Sequence, residues 1–255
     1  MAKNTRVSTS APNSNFVKII ARKVRNLCSG LLFDFNGGIF RADGCEFVVP
    51  KQINDVGWRG VFFWLGEYEA AERKLVREFV KPQDNVIELG GCLGIVSCII
   101  NRLLSDGSRH IVVEANPYLI PWIFRNRERN QAGFLVENCA VGKPPEITFF
   151  IHSSSVHDGS VQHQSGNPLR LPSRSLRELN ERYGPFNTLV ADVEGAEGDI
   201  FESSQSELSR FRLVIVEFHD AIIGKERIDR CRQILVSSGF HLVGKEGCVE
   251  AWQRF

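Results

Sequence analysis

The chain has 255 residues, 43% of them hydrophobic and 24% charged, enough apolar surface for one large α/β domain and too much for a disordered chain. Thirty-one Lys and Arg against thirty Asp and Glu leave a net charge of +1; no global field selects nucleic acid, and none is expected as a partner. The seven cysteines are scattered without a CxxC pair, which speaks against a disulfide framework or a zinc site and for a reducing, cytoplasmic setting.

Residues 1–15 are polar and rich in Ser, Thr and Asn, and a disordered tail is expected there. From Met1 to Phe33 there is no acidic residue, whereas Lys3, Arg6, Lys18, Arg22, Lys23 and Arg25 are basic. Val17, Ile20, Val24, Leu27 and Leu31 recur at helical spacing opposite much of that charge. The pattern permits a helix docked on the domain, a transit peptide or a peripheral membrane contact. No apolar run reaches the roughly 18 residues that a membrane span needs. Residues 16–66 are expected to form this helix and a small cap, in which Gly30–Gly38 and Glu46–Pro50 read as strands or a hairpin. Tyr68–Val80 carries helical periodicity up to Pro82 and opens a domain expected over residues 67–255.

From there strand and helix signals alternate. Val86–Leu89, His110–Glu114, Phe134–Asn138, Thr188–Ala191 and Leu213–Glu217 read as strands, with Ile147–Ile151 as a further strand or extension. Ile95–Leu104, Pro121–Asn130 and Ile228–Ser237 read as helices. His152–Ser173, rich in Ser, His, Gln, Gly and Pro, reads as a long polar loop whose His152, His157 and His163 would serve a mobile lid more readily than a metal. Phe240–Val243 and Val249–Gln253 read as a closing antiparallel pair. This order predicts an α/β fold with a mostly parallel sheet, a C-terminal antiparallel strand and a ligand site beyond the strand carboxyl ends. Glu88, Glu114, Asn138, Asp192 and Glu217 with His219 stand at those ends.

The strand end and turn Glu88-Leu89-Gly90-Gly91-Cys92-Leu93-Gly94 reads as a nucleotide-cofactor loop at a helix start. It lacks the GxGxxG spacing that makes room for a pyrophosphate. An acidic residue two positions before Gly90 repels an anion and favours a sulfonium ligand with an ammonium group, which points to S-adenosylmethionine over NAD. Glu114, ending the second strand, is placed to accept ribose hydroxyls.

Five segments carry a family likeness: Glu88–Gly94, Val113-Glu114-Ala115-Asn116-Pro117, Asn138-Cys139-Ala140-Val141-Gly142, Asp192-Val193-Glu194-Gly195-Ala196-Glu197 and Val216-Glu217-Phe218-His219. In order and spacing the chain resembles the FkbM-type S-adenosylmethionine-dependent methyltransferases from about Tyr68 to His219. The helix opening with Glu67-Tyr68-Glu69 is similar to the family's lead-in to its first motif. The resemblance implies the class I methyltransferase fold, with its Rossmann-like sheet, and O-methylation of a hydroxyl on a sugar, glycolipid or natural-product acceptor. The chain departs from the family twice, with Cys92 where Asn is usual in the glycine loop and Val190 where a Lys commonly precedes the Asp-Val-Glu block. A non-catalytic methyltransferase-like protein and an NAD-dependent oxidoreductase remain as alternatives.

On this reading Glu88, Gly90, Gly91, Gly94, Glu114, Ala115, Asn116, Asn138, Cys139 and Asp192 form the cofactor site, Glu88 at the methionine end and Asn138 with Cys139 near adenine. Asp192, His219 and Glu194 are the candidate catalytic groups: Asp192 follows the fourth strand, imidazole is tuned to take a hydroxyl proton, and Glu194 either shares that work or caps a helix near Gly195. Asp192, Glu217 and His219 could gather a divalent ion, but no compact ligand motif supports one and no metal is assigned. Trp58, Trp64 and Trp122 read as packing residues before sugar platforms.

Overall fold

A computed structural model describes residues 14–51, 55–64, 68–142, 145–152, 155–160 and 167–255. The N-terminal part holds helix α1 (Ser14–Phe35), the hairpin β1 (Ile39–Ala42) and β2 (Cys45–Val48), and helix α2 (Val56–Trp64). Then follow α3 (Ala70–Phe79), β3 (Val86–Leu89), α4 (Ile95–Leu103), β4 (His110–Val113), α5 (Ile120–Arg129) and β5 (Leu135–Glu137). An excursion of four strands comes next: β6 (Ala140–Val141), β7 (Glu146–His152), β8 (Ser155–Ser160) and β9 (Asn167–Arg174). The chain closes with α6 (Leu176–Tyr183), β10 (Thr188–Ala191), α7 (Glu197–Ser203), α8 (Gln205–Leu208), β11 (Leu213–Glu217), α9 (Asp220–Ile223), α10 (Lys225–Ser237), β12 (His241–Glu246) and β13 (Val249–Gln253).

Among the described residues the central sheet has the order β12-β13-β11-β10-β3-β4-β5. The strands from β5 to β11 run parallel, and β13 enters antiparallel against β11. Short apolar strands suit this position because both faces are covered: Val86 faces the α3–α4 side, while Ile87 and Leu89 face α6, α7 and α10. The chain steps outward from β3 to β5 and then returns to β10 on the other side of β3. A crevice opens at that reversal beyond the strand carboxyl ends.

Two expectations are corrected. Gly30–Phe35, read as strand, completes α1. Gly30 is a helix-crossing glycine: a Cβ there would lie 1.7 Å from the Val56 carbonyl oxygen, and one on Gly60 would lie 2.1 Å from that of Asn26. The polar run His152–Ser173 is not one long loop, since β8 and β9 pair with β7 in a second sheet. Its alternation is masked by Pro168 and Pro172, which stand on the exposed side of β9 while Leu171 and Ser173 are buried. Along 167–172, β9 bonds among the described residues only to β7, so its other edge needs no proline N–H. His163 and most of the tail expected over 1–15 lie outside the described residues.

The close α1–α2 crossing gives a direct test. Gly30→Ala should cost at least about 1–3 kcal/mol through overpacking, seen as a lower Tm and early proteolytic release of α1 while the central sheet stays protected. Unchanged melting and proteolysis would show that the helices do not depend on this contact.

Candidate active site

The glycine loop leaves β3 as a strained turn. Gly90 has φ of +91° and Gly94 of +75°, and between them Cys92 takes φ of +44°. The left-handed region costs a residue other than glycine or asparagine about 1–2 kcal/mol. Gly90 is also required by space, since a Cβ would sit 1.7 Å from the Asp192 carbonyl oxygen. Gly91 packs where a Cβ would come within 2.5 Å of Val112. The Cys92 thiol meets the Tyr68 hydroxyl at 3.4 Å, and burial raises both groups well above their usual pKa.

Glu114 fastens this loop to β4. Its Oε2 accepts the Cys92 amide at 2.8 Å and its Oε1 the Asn116 amide at 2.7 Å. Burial lifts its pKa to about 7, although the Asn116 and Cys92 amides favour the charged form. Asn116 is buried and caps the turn by accepting the Tyr118 amide through Oδ1 at 3.0 Å. Asn138 is exposed and spends its Nδ2 on the carbonyls of Glu114 and Ala115 at 2.7 and 3.1 Å, outside the pocket wall, whereas Cys139 and Ala115 line it.

Glu88 is the main correction. It points to the α4 side of the sheet, where Ser97 donates to one oxygen at 2.7 Å and His110 Nε2 meets the other at 2.9 Å. Fully buried and partnered, it is not part of the pocket wall. Strand periodicity explains this, because Leu89 beside it must face the opposite way. Val190 pairs in register with Glu88 and is also buried, so the absent Lys removes a partner from Glu88 and not a charge from the pocket rim.

The pocket's acidity comes from other residues. Glu69, Glu114, Asp192 and Glu194 line it, and among the described residues no Lys or Arg does. Glu69 sits in the left-handed region just before α3, and burial brings it to about 8 despite the opposing hydrogen bond from Tyr68. Burial, reinforced by Glu217 and Glu194, holds Asp192 well above the usual carboxylate range against the pull of His219. Glu69 was not a sequence candidate; the Glu67-Tyr68-Glu69 lead-in was its only signal.

Asp192, Glu194 and His219 are brought together at the ends of β10 and β11. His219 Nε2 lies 3.5 Å from Asp192 Oδ1 and 3.4 Å from Glu194 Oε2, and Nδ1 lies 2.6 Å from Glu197 Oε1. Glu197 is a further residue that sequence reasoning passed over, although it closes the Asp-Val-Glu-Gly-Ala-Glu block. It is 1% exposed, its Oε1 also accepts the Gly195 amide at 3.1 Å, and it fixes the imidazole so that Nε2 faces the two rim carboxylates. Burial alone would depress His219; the Glu197 hydrogen bond and the charges of Asp192, Glu194 and Glu197 outweigh it and bring the pKa to about 9. One ligand atom each from Asp192, Glu194 and His219 lie within 4.8 Å of one another, a set that could hold a metal ion. Glu217 stands outside it and accepts the Cys248 thiol at 3.1 Å. Trp58 packs edge-on against Phe62 and Tyr68, and Arg125 covers the Trp122 ring. The Trp64, His152 and His157 side chains lie outside what is described.

A parallel sheet closed by one antiparallel strand, with an acidic pocket at its reversal point, defines a class I methyltransferase. Residues 63–242 match the Methyltransferase FkbM domain, and the chain belongs to that family. The family's methyl donor is S-adenosylmethionine. Its sulfonium and ammonium charges fit a wall with four carboxylates and, among the described residues, no Lys or Arg, which a pyrophosphate would not. No curated protein matches the chain. Solved structures similar to it include an O-methyltransferase from Bacillus cereus in complex with SAH, at 16% identity and a TM-score of 0.44 over 72% of this chain and 80% of that one. A precorrin-6y C5,15-methyltransferase from Geobacter metallireducens is 10% identical with a TM-score of 0.45, over 72% of this chain and 86% of that one.

The raised groups share one sign. Glu114, Glu69 and His219 bind protons more tightly folded than unfolded, so their stabilisation is fully present below their ordinary values and is lost as pH rises through about 7, about 8 and about 9, in that order. The same titration makes the pocket more negative. Calorimetry across this range should show the affinity for S-adenosylmethionine rising over that for the uncharged thioether S-adenosylhomocysteine by about tenfold or more. A flat ratio would remove these carboxylates from sulfonium recognition.

Proposed function

We propose that the protein transfers the methyl group of S-adenosylmethionine to a hydroxyl oxygen of a sugar, glycolipid or natural-product acceptor. The observation that carries this reading is the Glu197–His219 pair aimed at the pocket rim beside Asp192 and Glu194. The bound cofactor supplies an electrophilic methyl, and in-line substitution leaves the protein to align the acceptor and remove its proton. His219 Nε2 takes the hydroxyl proton, while Nδ1–H stays on Glu197, whose charge stabilises the imidazolium. Asp192 and Glu194 accept hydrogen bonds from neighbouring hydroxyls of a polyol and hold the reacting one against His219.

The cofactor is held by the backbone of Gly90 to Gly94, by Glu69 and Asp192 facing its cationic end, by Glu114 toward the ribose, and by Ala115, Asn116 and Cys139 toward the base. The free thiols suit a cytoplasmic enzyme. No described helix is long and apolar enough to cross a membrane.

His219→Gln should lower kcat about 10²–10⁴-fold and leave S-adenosylhomocysteine affinity within a few-fold, read by transfer of labelled methyl to a panel of sugars and glycolipids. Because His219 must be deprotonated to act, kcat should climb with pH toward about 9, and Glu197→Gln should shift that limb to lower pH. Full turnover in His219→Gln with an unmoved limb in Glu197→Gln would exclude the histidine as base.

A second reading is favoured by the spacing of Asp192, Glu194 and His219. A divalent cation held there would polarise the acceptor oxygen directly. Dialysis against EDTA separates the two: turnover is unaffected if His219 is the base, and is lost and restored by Mg²⁺ or Mn²⁺ if the cation is required.

A further inference from the structure

Among the described residues, helix α1 meets the rest of the protein on one side only. Ser29 and Phe33 are buried, Gly30 lies against Val56, and the Phe33 ring stacks on Phe62 with centroids 5.8 Å apart. The opposite side is apolar and open. Val24, Leu27, Leu31 and Phe35 recur three and four residues apart, so they form one stripe, and they are 54, 46, 58 and 89% exposed. Leu32, 46% exposed, widens it. Scattered surface leucines need no explanation, but a continuous stripe over three turns marks a contact surface.

The charges around the stripe say what covers it. Lys23 and Arg25 are exposed and fall on its two flanks. The helix's acid, Asp34, is bound by Arg59 at 2.7 Å, with Lys51 at 3.7 Å, and residues 1–33 contain no Asp or Glu. We propose that α1 docks the protein on an anionic phospholipid surface, with Val24, Leu27, Leu31 and Phe35 in the acyl boundary and Lys23 and Arg25 among the headgroup phosphates. At 22 residues the helix is about 33 Å long and lies in the interface plane. A second copy is the poorer occupant, because two α1 stripes facing each other would set these cations against their own kind without an acid to offset them. Lipid phosphate supplies that missing charge. The docking surface is independent of the methyl-transfer chemistry.

Co-sedimentation of the full chain with vesicles tests it. Phosphatidylcholine vesicles containing phosphatidylserine should bind at least about tenfold more tightly than phosphatidylcholine alone, and added salt should weaken the binding. Leu27→Glu/Leu31→Glu should abolish it and Lys23→Glu/Arg25→Glu should reduce it about tenfold or more, with S-adenosylhomocysteine affinity retained in both as proof of folding. The proposal is overturned if the folded parent chain does not bind, if it binds neutral and anionic vesicles equally, or if the variants bind as well as the parent. A lipid-free dimer in light scattering that Leu27→Glu/Leu31→Glu splits would assign the stripe to a second copy instead.

Discussion

The close approach of Gly90 to the Asp192 carbonyl sets the position of everything in the pocket. At this point β3 and β10, far apart in sequence, are held edge to edge: the Asp192 amide donates to Leu89 O at 2.9 Å, and the Gly90 amide donates across to Val113 O at 2.8 Å. Three strand ends are thereby joined around one residue without a side chain. Any Cβ at Gly90 would push the Asp192 backbone away, and with it the Asp192, Glu194 and Glu197 carboxylates that surround His219. The glycine of the cofactor loop therefore serves the acceptor side of the pocket as much as the donor side. A single steric requirement couples the two halves of a transfer reaction whose rate depends on alignment to within fractions of an ångström.

The second constraint is electrostatic. Concentrating Glu69, Glu114, Asp192 and Glu194 around one cleft costs desolvation and mutual repulsion, which is why Glu69, Glu114 and Asp192 are driven toward their neutral forms. A fold keeps such a cluster when its ligand brings the compensating charge. Cationic His219 supplies part of it in the absence of ligand, and a sulfonium with an ammonium group supplies the rest. These four carboxylates face the cleft, whereas Glu88 does not. Glu88 meanwhile has Ser97 and His110 as partners on the far side of the sheet, next to a position where the family commonly places Lys and this chain places Val190.

The parallel strands were legible because each is a short apolar run ended by a polar residue. Val86–Leu89, Thr188–Ala191 and Leu213–Glu217 have the bounds the pattern predicts. Period-two reasoning was available for Glu88 as well: Leu89 leads into the pocket, so its neighbour cannot. Helix α6 carried a full signature, Ser175 accepting the Glu178 amide and Glu178 bonding back to Ser175, yet it sits directly behind a proline-rich run that reads as loop. The same prolines hid β9. The association of Glu197 with His219 was not legible at all, since it depends on how α7 turns after the left-handed Glu194 and Gly195. Local pattern reports which strand a residue ends, whereas the direction of a side chain after a turn is decided by tertiary packing.

The N-terminal helix is joined to the pocket by more than chain connectivity. Phe33 of α1 stacks on Phe62 of α2, Phe62 lies 4.6 Å from Tyr68 between ring centroids, and the Tyr68 hydroxyl touches the Cys92 thiol in the glycine loop. Aromatic rings packed in such a series restrict one another because each occupies the space that the next would need to shift into. Cys92 is the strained residue of the loop, held at positive φ without the side-chain amide that eases asparagine there. Tyr68 therefore supports the loop at the point where its own sequence supports it least. Glu69, the next residue, faces the cleft. Phe33, Phe62 and Tyr68 thus link α1 to the glycine loop, and the departure at Cys92 is matched by a contact from outside the central sheet.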